Sequence, residues 1–193
     1  MTEVWLIRHG ETEWSLSGQH SGRNDLALTA HGEEEALDAR DLLAGRKFGL
    51  VLCSTLRRAR RTCELAGYSG VAVLDPDCQE WDYGDCTGFT QSELRERWPG
   101  WTIWRGPCPN GESLDDIAAR ARGVVDRVRA HKGGPVAIFA HGHFLRVFAS
   151  QWLGLPPATG ANFALQTAAI SILGEDSGIP AVRAWNLRRT LPA

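Results

Sequence analysis

Residues 4–12 of the chain read VWLIRHGET. The first four are apolar without alternation, which is typical of a strand buried on both faces of a sheet. Arg8 and His9 follow at the end of that predicted strand, and open α/β sheets bind ligands outside the carboxyl ends of their strands. An imidazole there can act as a nucleophile, and a guanidinium can hold an anion by two parallel hydrogen bonds. The stretch therefore predicts both the kind of fold and a reactive site.

The rest of the chain alternates strand-like and helix-like segments, which predicts an α/β protein. Further strands are predicted at 50–53, 71–74 and 135–140, and a hairpin of 168–173 and 181–185 at one edge of the sheet. Helices are predicted at about 29–44, 54–66, 112–132 and 144–153, with Thr29 and Ser54 as N-caps. A polar loop spans 10–28, and a long excursion with one short helix near 91–98 spans about 75–111. We expect a single domain over residues 1–193.

The bulk properties exclude several classes of protein. The formal net charge is −2 and the pI about 6.3, so nothing favours binding to nucleic acid or to an anionic membrane. We expect no signal peptide and no membrane-spanning segment, hence a cytoplasmic protein. The cysteines are odd in number and lack Cys-x-x-Cys spacing, which indicates reduced thiols without metal. They are Cys53, Cys63, Cys78, Cys86 and Cys108.

A second histidine follows a predicted strand, as His9 does. His141 follows the apolar stretch 135–140 and, like His9, precedes a glycine. Parallel strands of one sheet would present both imidazoles at the same edge, where a glycine lets a ligand approach the backbone closely. The arginine-rich segment 54–62 also follows a strand, and the amino end of its helix would attract an anion. For Arg57, Arg60 and Arg61 we expect a solvated helix face.

Six ordered blocks resemble the histidine phosphatase superfamily, also called the phosphoglycerate mutase-like family. The blocks are LIRHGET at 6–12, Gly22-x-x-Asp25-x-x-Leu28-Thr29-x-x-Gly32, Ser54-x-Leu56-x-Arg58-Ala59-x-x-Thr62, Glu80-x-x-Tyr83-Gly84, Gly111-Glu112-Ser113 and Ala140-His141-Gly142. The resemblance spans nearly the whole chain and implies a three-layer α/β/α sandwich with a mostly parallel central sheet. It also implies that the chain is a phosphatase needing no metal or other cofactor.

The resemblance assigns a role to each matching residue. His9 would be the nucleophile that becomes phosphorylated, and Glu80 the proton donor to the leaving oxygen. Three residues would surround the phosphoryl group: Arg8, Arg58 and His141. The substrate would also meet Ser21, Gly22, Tyr83 and the backbone amide of Gly142. Two positions depart from the family pattern, because Ser15 stands where asparagine is frequent and Arg61 where glutamine is usual.

The chemistry follows from these residue types. Two arginines and a protonated His141 would spread positive charge around the phosphoryl oxygens in the transition state. A neutral His9 has the lone pair to attack phosphorus, provided that its other ring nitrogen is held by a neighbour such as a backbone carbonyl. Water would then hydrolyse the phosphohistidine, with Glu80 acting first as acid and then as base.

Three functions stay open at this point. A phosphatase is favoured over a mutase, because the excursion is short and lacks an adjacent arginine pair for a second charged group. A non-catalytic binding module would not need Glu80. The segment 80–85, EWDYGD, resembles sugar-phosphate phosphatases such as sedoheptulose bisphosphatase-like enzymes. The partner is thus a small phosphate ester, and a homodimer through the C-terminal hairpin is an option.

The surroundings of the site leave further alternatives. The tryptophans Trp98, Trp101 and Trp104 would pack the excursion onto the domain, or one of them would stack on a sugar. His143 would extend the pocket or pack beneath the loop. Arg146 would reach a second phosphate, although a surface ion pair is favoured. His20 and His31 carry no strong signal.

Overall fold

A computed structural model describes residues 3–189 and shows a six-stranded sheet between two layers of helices. The strands are β1 (Val4–Arg8), β2 (Leu50–Ser54), β3 (Ala72–Asp75), β4 (Val136–Ala140), β5 (Ile170–Asp176) and β6 (Ile179–Leu187). The helices are α1 (Glu13–Ser17), α2 (Ala30–Leu43), α3 (Arg57–Leu65), α4 (Gln91–Arg97), α5 (Leu114–Ala130) and α6 (Gly142–Trp152). Short 3₁₀ turns lie at 76–78, 84–86 and 157–162.

The strand order is β3-β2-β4-β1-β5-β6. The first four strands pair in parallel, and β5 and β6 add an antiparallel hairpin at one edge. The predicted three-layer α/β/α architecture and the terminal edge hairpin are thereby confirmed. Helical crossovers join the parallel strands, as this kind of pairing requires.

Alternate residues of the central strands feed two separate cores. Val4 and Leu6 of β1 pack with the apolar faces of α5 and α6, whereas Trp5 and Ile7 pack with α2 and α3. This two-sided burial explains why the strands are apolar without alternation. It also fixes the register, because a shift by one residue would exchange the two faces. The ends of β1 and β4 are therefore held firmly side by side.

Several predicted boundaries need correction. The loop at 10–28 contains α1, which Thr12 caps through the amide of Ser15. Ser54 is the last residue of β2 and does not cap α3, which begins at Arg57 without a side-chain cap. Helix α6 starts at Gly142, two residues before the predicted start. Helix α1 was missed because it is only five residues long, whereas the bounds of α3 and α6 differ because no side chain caps either helix.

A close approach of two backbones shapes the loop after β1. A methyl group added at Gly10 would lie 2.1 Å from the carbonyl oxygen of Gly32, and one added at Gly32 would lie 2.1 Å from that of Glu11. Glycine is thus required at both positions for steric reasons. The carboxylate of Glu35 accepts from the Glu11 amide at 2.8 Å and completes the junction between this loop and α2. The junction carries the chain away from His9 without covering it.

Among residues 3–189, no helix combines the length and the apolar character needed to cross a bilayer. In the same part of the chain, no group of three or more His, Cys, Asp or Glu residues is arranged to hold a metal ion. All five cysteines are free thiols.

Candidate active site

The two histidines at strand ends lie side by side. Strands β1 and β4 are neighbours in parallel register, with Arg8 opposite Ala140. The amide of His9 donates to the Ala140 carbonyl at 3.0 Å. The ring centroids of His9 and His141 are consequently 5.2 Å apart. That spacing lets a single tetrahedral oxyanion contact both rings.

Hydrogen bonding fixes the protonation form of His9. Its Nδ1 lies 2.7 Å from the carbonyl oxygen of Gly10, which can only accept, so Nδ1 carries the hydrogen. The Nε2 atom is therefore the lone-pair side, and it accepts from Nε of Arg58 at 3.2 Å. Burial, and then the charges of Arg58 and Arg8, hold the pKa of His9 well below its usual value. His9 is thus a neutral, oriented imidazole, held by a backbone carbonyl of the kind that the chemistry requires.

Arg58 lies in the first turn of α3 and is fully buried. Its two terminal nitrogens donate to the carbonyls of Gly22 and Asn24, each at 2.7 Å. The carboxylate of Asp25 accepts from the backbone amide of Arg57 at 2.6 Å, which ties the same loop to the start of α3. The 22–25 loop therefore wraps around the guanidinium and holds it against His9.

Arg8 presents an unpaired group beside the start of α6. Its Nη1 donates to the carbonyl of Leu165 at 2.5 Å, while its buried Nε has no hydrogen-bond partner among the described residues. A methyl group added at Gly142 would lie 3.4 Å from that Nε. The backbone at Gly142 therefore lies close to the guanidinium of Arg8.

Glu80 is buried at the amino end of α6. Its Oε1 accepts from the amides of Trp81 and Phe144 at 2.9 and 2.8 Å, and its Oε2 accepts from the amide of His143 at 3.1 Å. Three backbone donors therefore orient one carboxyl group, which lines the same pocket as His9. The excursion thereby delivers its acidic residue to the ends of β1 and β4.

His141 is completely buried and differs from expectation in its charge. Its Nε2 lies 2.7 Å from Oγ of Ser54, and its Nδ1 has no partner among the described residues. Burial, and then the charges of Arg58, His9 and Arg8, hold the pKa of His141 well below its usual value. Burial and the two neighbouring guanidiniums thus oppose a positive charge on the His141 ring, and its expected protonation beside a phosphoryl group stays a prediction.

These groups surround a pocket of about 180 Å³. Eight of the nine predicted site residues line it, namely Arg8, His9, Ser21, Gly22, Arg58, Glu80, Tyr83 and Gly142. The ninth, His141, is not among the lining residues, and its ring centroid lies 5.2 Å from that of His9. A larger cavity of about 780 Å³ beside α3 is lined by none of them. Arg61 in that cavity is paired with Glu33 and Glu64.

The outer wall contains residues that the sequence did not reveal. Trp14, Gln19, His20 and Leu165 line the pocket, although they lie in loops or in the short helix α1 and show no periodic pattern. His20 packs edge-on against Tyr83, with ring centroids 5.1 Å apart. His20 carries no strong signal in the sequence, and only its two neighbours, Ser21 and Gly22, pointed to the site.

The open alternatives are decided by packing. None of Trp98, Trp101 and Trp104 lines the pocket, and they pack the excursion as an aromatic cluster. His143 lines the pocket, and its Nδ1 lies 2.5 Å from the hydroxyl of Tyr83. Arg146 also lines it and forms no ion pair with any residue among 3–189, so the favoured surface ion pair was wrong.

The two departures from the family pattern have local partners. Ser15 lines the pocket and completes the capping box of α1 with Thr12, where its Oγ accepts from the Thr12 amide at 2.8 Å. Arg61 is held by Glu33 at 2.7 Å on the outside of α3. Neither side chain replaces a group that contacts His9.

The neutral histidines predict how the stability of the protein depends on pH. The pKa values of His9, His141 and His143 all lie well below 6.5, chiefly because the rings are buried. Below pH 6.5 the unfolded chain binds protons on these rings while the folded protein does not, so lowering the pH favours unfolding. Between pH 7.5 and 5.0 we expect the free energy of unfolding to fall by about 2 kcal/mol for each ring that stays neutral.

Urea unfolding across that range measures the fall. His143→Gln removes one of the rings and should make the dependence shallower. A free energy of unfolding that is constant from pH 7.5 to 5.0 would show that the rings titrate alike in both states.

Comparison with known proteins identifies a matching family model and several similar proteins. A family model described as "Histidine phosphatase superfamily (branch 1)" matches residues 4–188. An acid phosphatase of Mycobacterium tuberculosis is 38% identical over 177 residues, 90% of this chain and 87% of that protein. Sedoheptulose 1,7-bisphosphatase of Saccharomyces cerevisiae is 34% identical over 181 residues, 78% of this chain and 67% of that protein.

Some similar proteins are named as mutases. One solved structure has the same fold over nearly the whole chain. A 2,3-bisphosphoglycerate-dependent phosphoglycerate mutase of Methylorubrum extorquens is 35% identical over 180 residues, 84% of each protein. The structure of a Mycobacterium tuberculosis open-reading-frame product has a TM-score of 0.92 at 36% identity, over 97% of this chain and 98% of that chain.

Proposed function

This chain belongs to the histidine phosphatase superfamily and is a phosphoric monoester hydrolase, and we propose that it hydrolyses small phosphomonoesters through a phosphohistidine on His9. One observation carries the proposal. His9 has its lone pair on Nε2, beside Nε of Arg58, and it lines one pocket together with Arg8, Arg58 and Glu80. The pocket thus contains a nucleophile, cations for the phosphoryl oxygens and an acid.

In the first step, Nε2 of His9 attacks phosphorus and the bond from phosphorus to the ester oxygen breaks. Glu80 gives its proton to that departing oxygen, so an alcohol leaves instead of an alkoxide. Nδ1 keeps its hydrogen and continues to donate to the Gly10 carbonyl, which stabilises the positive charge that forms on the ring. Nothing has to rotate, because the ring is already fixed in the reacting tautomer.

In the second step, water attacks phosphorus and the bond to Nε2 breaks. Glu80, now a carboxylate, removes a proton from that water and is ready for another cycle. His9 recovers its lone pair when inorganic phosphate departs. Both steps use His9 as nucleophile and Glu80 for proton transfer, so the site returns to its starting state without any external group.

Two buried nitrogen atoms near His9 favour the binding of a phosphate dianion. Nε of Arg8 and Nδ1 of His141 have no hydrogen-bond partner among the described residues, and a phosphoryl oxygen would supply one. A bound dianion also offsets the cations that lower the pKa of His141, and therefore favours its protonation. His141 would thus gain its charge only when substrate is present, where that charge stabilises the transition state.

The dimensions of the pocket favour small esters. Its volume of about 180 Å³ is below the roughly 300–1,000 Å³ of pockets that enclose drug-sized ligands. The relatives include a protein named as a sugar bisphosphatase, and Trp14 offers an aromatic face at the pocket wall. We therefore place the substrate among phosphorylated sugars and related polyols.

Phosphoryl transfer between substrate hydroxyls is the second candidate, because relatives named as mutases are similar along most of the chain. The two reactions differ in the fate of the phosphohistidine. In hydrolysis, phosphate accumulates in solution, whereas in a mutase the phosphoryl group returns to substrate. The short excursion, which lacks an adjacent arginine pair for a second charged group, favours hydrolysis.

The expected result is release of inorganic phosphate from p-nitrophenyl phosphate in excess EDTA, at the rate measured without EDTA. Phosphate and isomerised ester should be quantified in parallel with 3-phosphoglycerate as substrate. If EDTA abolishes turnover, the reaction requires a metal ion and the proposed metal-independent mechanism is wrong. Conversion of 3-phosphoglycerate without phosphate release would establish the mutase instead.

A further inference from the structure

The outer wall of the pocket contains a cation that the proposed mechanism does not use. Arg146 lies on α6 four residues after Gly142, so the two share a helix face and their Cα atoms are roughly 6 Å apart along the axis. The phosphoryl group would lie beside Gly142. Arg146 therefore lines the same pocket from the next turn of α6.

The fold holds this guanidinium in place from two sides. Its Nε donates to the carbonyl of Gly160 at 2.9 Å, and its Nη2 donates to that of Ala161 at 3.0 Å. Its Cζ lies 4.8 Å from the ring centroid of Trp104, which packs behind it. A long side chain that is fixed in this way has already lost its conformational entropy before any ligand binds.

The guanidinium is nevertheless incompletely satisfied. Arginine has five N–H donors, and two of them are used on these carbonyls. No acidic side chain within residues 3–189 forms an ion pair with Arg146. Burial, and then the charge of Arg8, lower the pKa of Arg146, so its charge is held at a cost that a bound anion would offset.

The remaining pocket residues do not require this charge for the phosphoryl group. Arg8 and Arg58 line the pocket with His9, and in the proposed reaction they and His141 surround the phosphoryl group. Arg146 is a further fixed cation in the same pocket and is therefore available to a different part of the substrate. Arginine is also the side chain best suited to bidentate recognition of a phosphate or a carboxylate.

We propose that Arg146 forms a second anion subsite, and that the substrates are phosphomonoesters bearing a second phosphate or a carboxylate on a short polyol chain. This inference rests on the proposed function, since it names the substrate class of the same pocket. His143 lies between Gly142 and Arg146 along α6, lines the same pocket, and has its Nδ1 2.5 Å from the Tyr83 hydroxyl.

Two pairs of probes differ only in the second anion. 6-Phosphogluconate adds a carboxylate to the framework of glucose 6-phosphate, and fructose 1,6-bisphosphate adds a phosphate to fructose 6-phosphate. We expect kcat/KM of the wild-type protein to be at least about 10-fold higher for the doubly anionic member of one or both pairs, as a charge-assisted hydrogen bond implies. The pair that shows the preference identifies the anion as carboxylate or phosphate.

Arg146→Gln should bring that ratio to about 1, because kcat/KM for the doubly anionic member should fall more than kcat/KM for the singly charged member. Arg146→Lys keeps the charge and should retain part of the preference. Arg122→Gln is the matched control, because Arg122 is exposed on α5 and donates only to Gln151. An equal loss on both members of a pair, with a lowered Tm, would show that Arg146 is merely structural and would overturn the subsite.

A second readout separates this inference from the proposed reaction. Calorimetry with the His9→Ala protein measures the affinity for each probe without turnover, and the preference for two anions should persist there. Absence of the preference in both kcat/KM and affinity would refute the subsite, even if p-nitrophenyl phosphate is hydrolysed. If no ester is hydrolysed but the preference depends on Arg146, the subsite stands and the proposed catalysis fails.

Discussion

Replacing His9 with alanine is expected to lower kcat for phosphate release by at least about 10⁴-fold, because loss of the attacking nitrogen removes the covalent pathway. The residual cationic pocket would still bind the ester, so KM should change far less than kcat. The fold should survive, since the His9 ring packs in the pocket and outside the two apolar cores.

A quenched reaction provides the direct measurement. Wild-type protein mixed with ³²P-labelled ester and quenched in alkali should retain one acid-labile phosphoryl group, and His9→Ala should retain none. His31→Ala is the matched control, because His31 is exposed on α2 and contacts only Glu34 and Glu35. Wild-type turnover by His9→Ala, or a phosphoryl group that stays on the variant, would show that another residue is the nucleophile.

Glu80→Gln is expected to produce the second-largest effect, and the size of that effect should depend on the leaving group. The amide keeps the shape, and its oxygen can still accept from the amides of Trp81 and Phe144, although its NH2 cannot accept from His143 and it has no acidic proton to transfer. General acid catalysis typically contributes about 10²–10⁴-fold, and this contribution matters most when the departing oxygen is basic. We expect a loss in that range for a sugar phosphate and a much smaller one for p-nitrophenyl phosphate.

The measurement is the ratio of kcat/KM for the two kinds of ester in wild-type and variant protein. Glu96→Gln, at an exposed position on α4, is the control and should leave the ratio unchanged. If Glu80→Gln lowers turnover of both esters equally, Glu80 holds the amino end of α6 in position and does not transfer the proton.

Local sequence was sufficient to predict the parallel core. The strands β1, β2 and β4 are short, apolar and followed at once by polar residues or glycine, so their type and their direction were predictable from residue pattern alone. His9 and His141 could be expected at one edge because parallel strands end on the same side. Glu80 and Arg58, in contrast, were identified through the family motifs, since nothing local distinguishes Arg58 from Arg57 or Arg60.

Sequence by itself thus determined the layers, the order of chemistry-bearing segments and the residue types at the phosphoryl site. Tertiary structure alone decided their charges and their neighbours. Burial, and then the neighbouring guanidiniums, lower the pKa of His141, and the 160–161 carbonyls and Trp104 hold Arg146 at the pocket wall. The physical reason is that hydrogen-bond geometry, burial and electrostatic fields depend on atoms brought together from distant parts of the chain, whereas periodicity reports only on residues close in sequence.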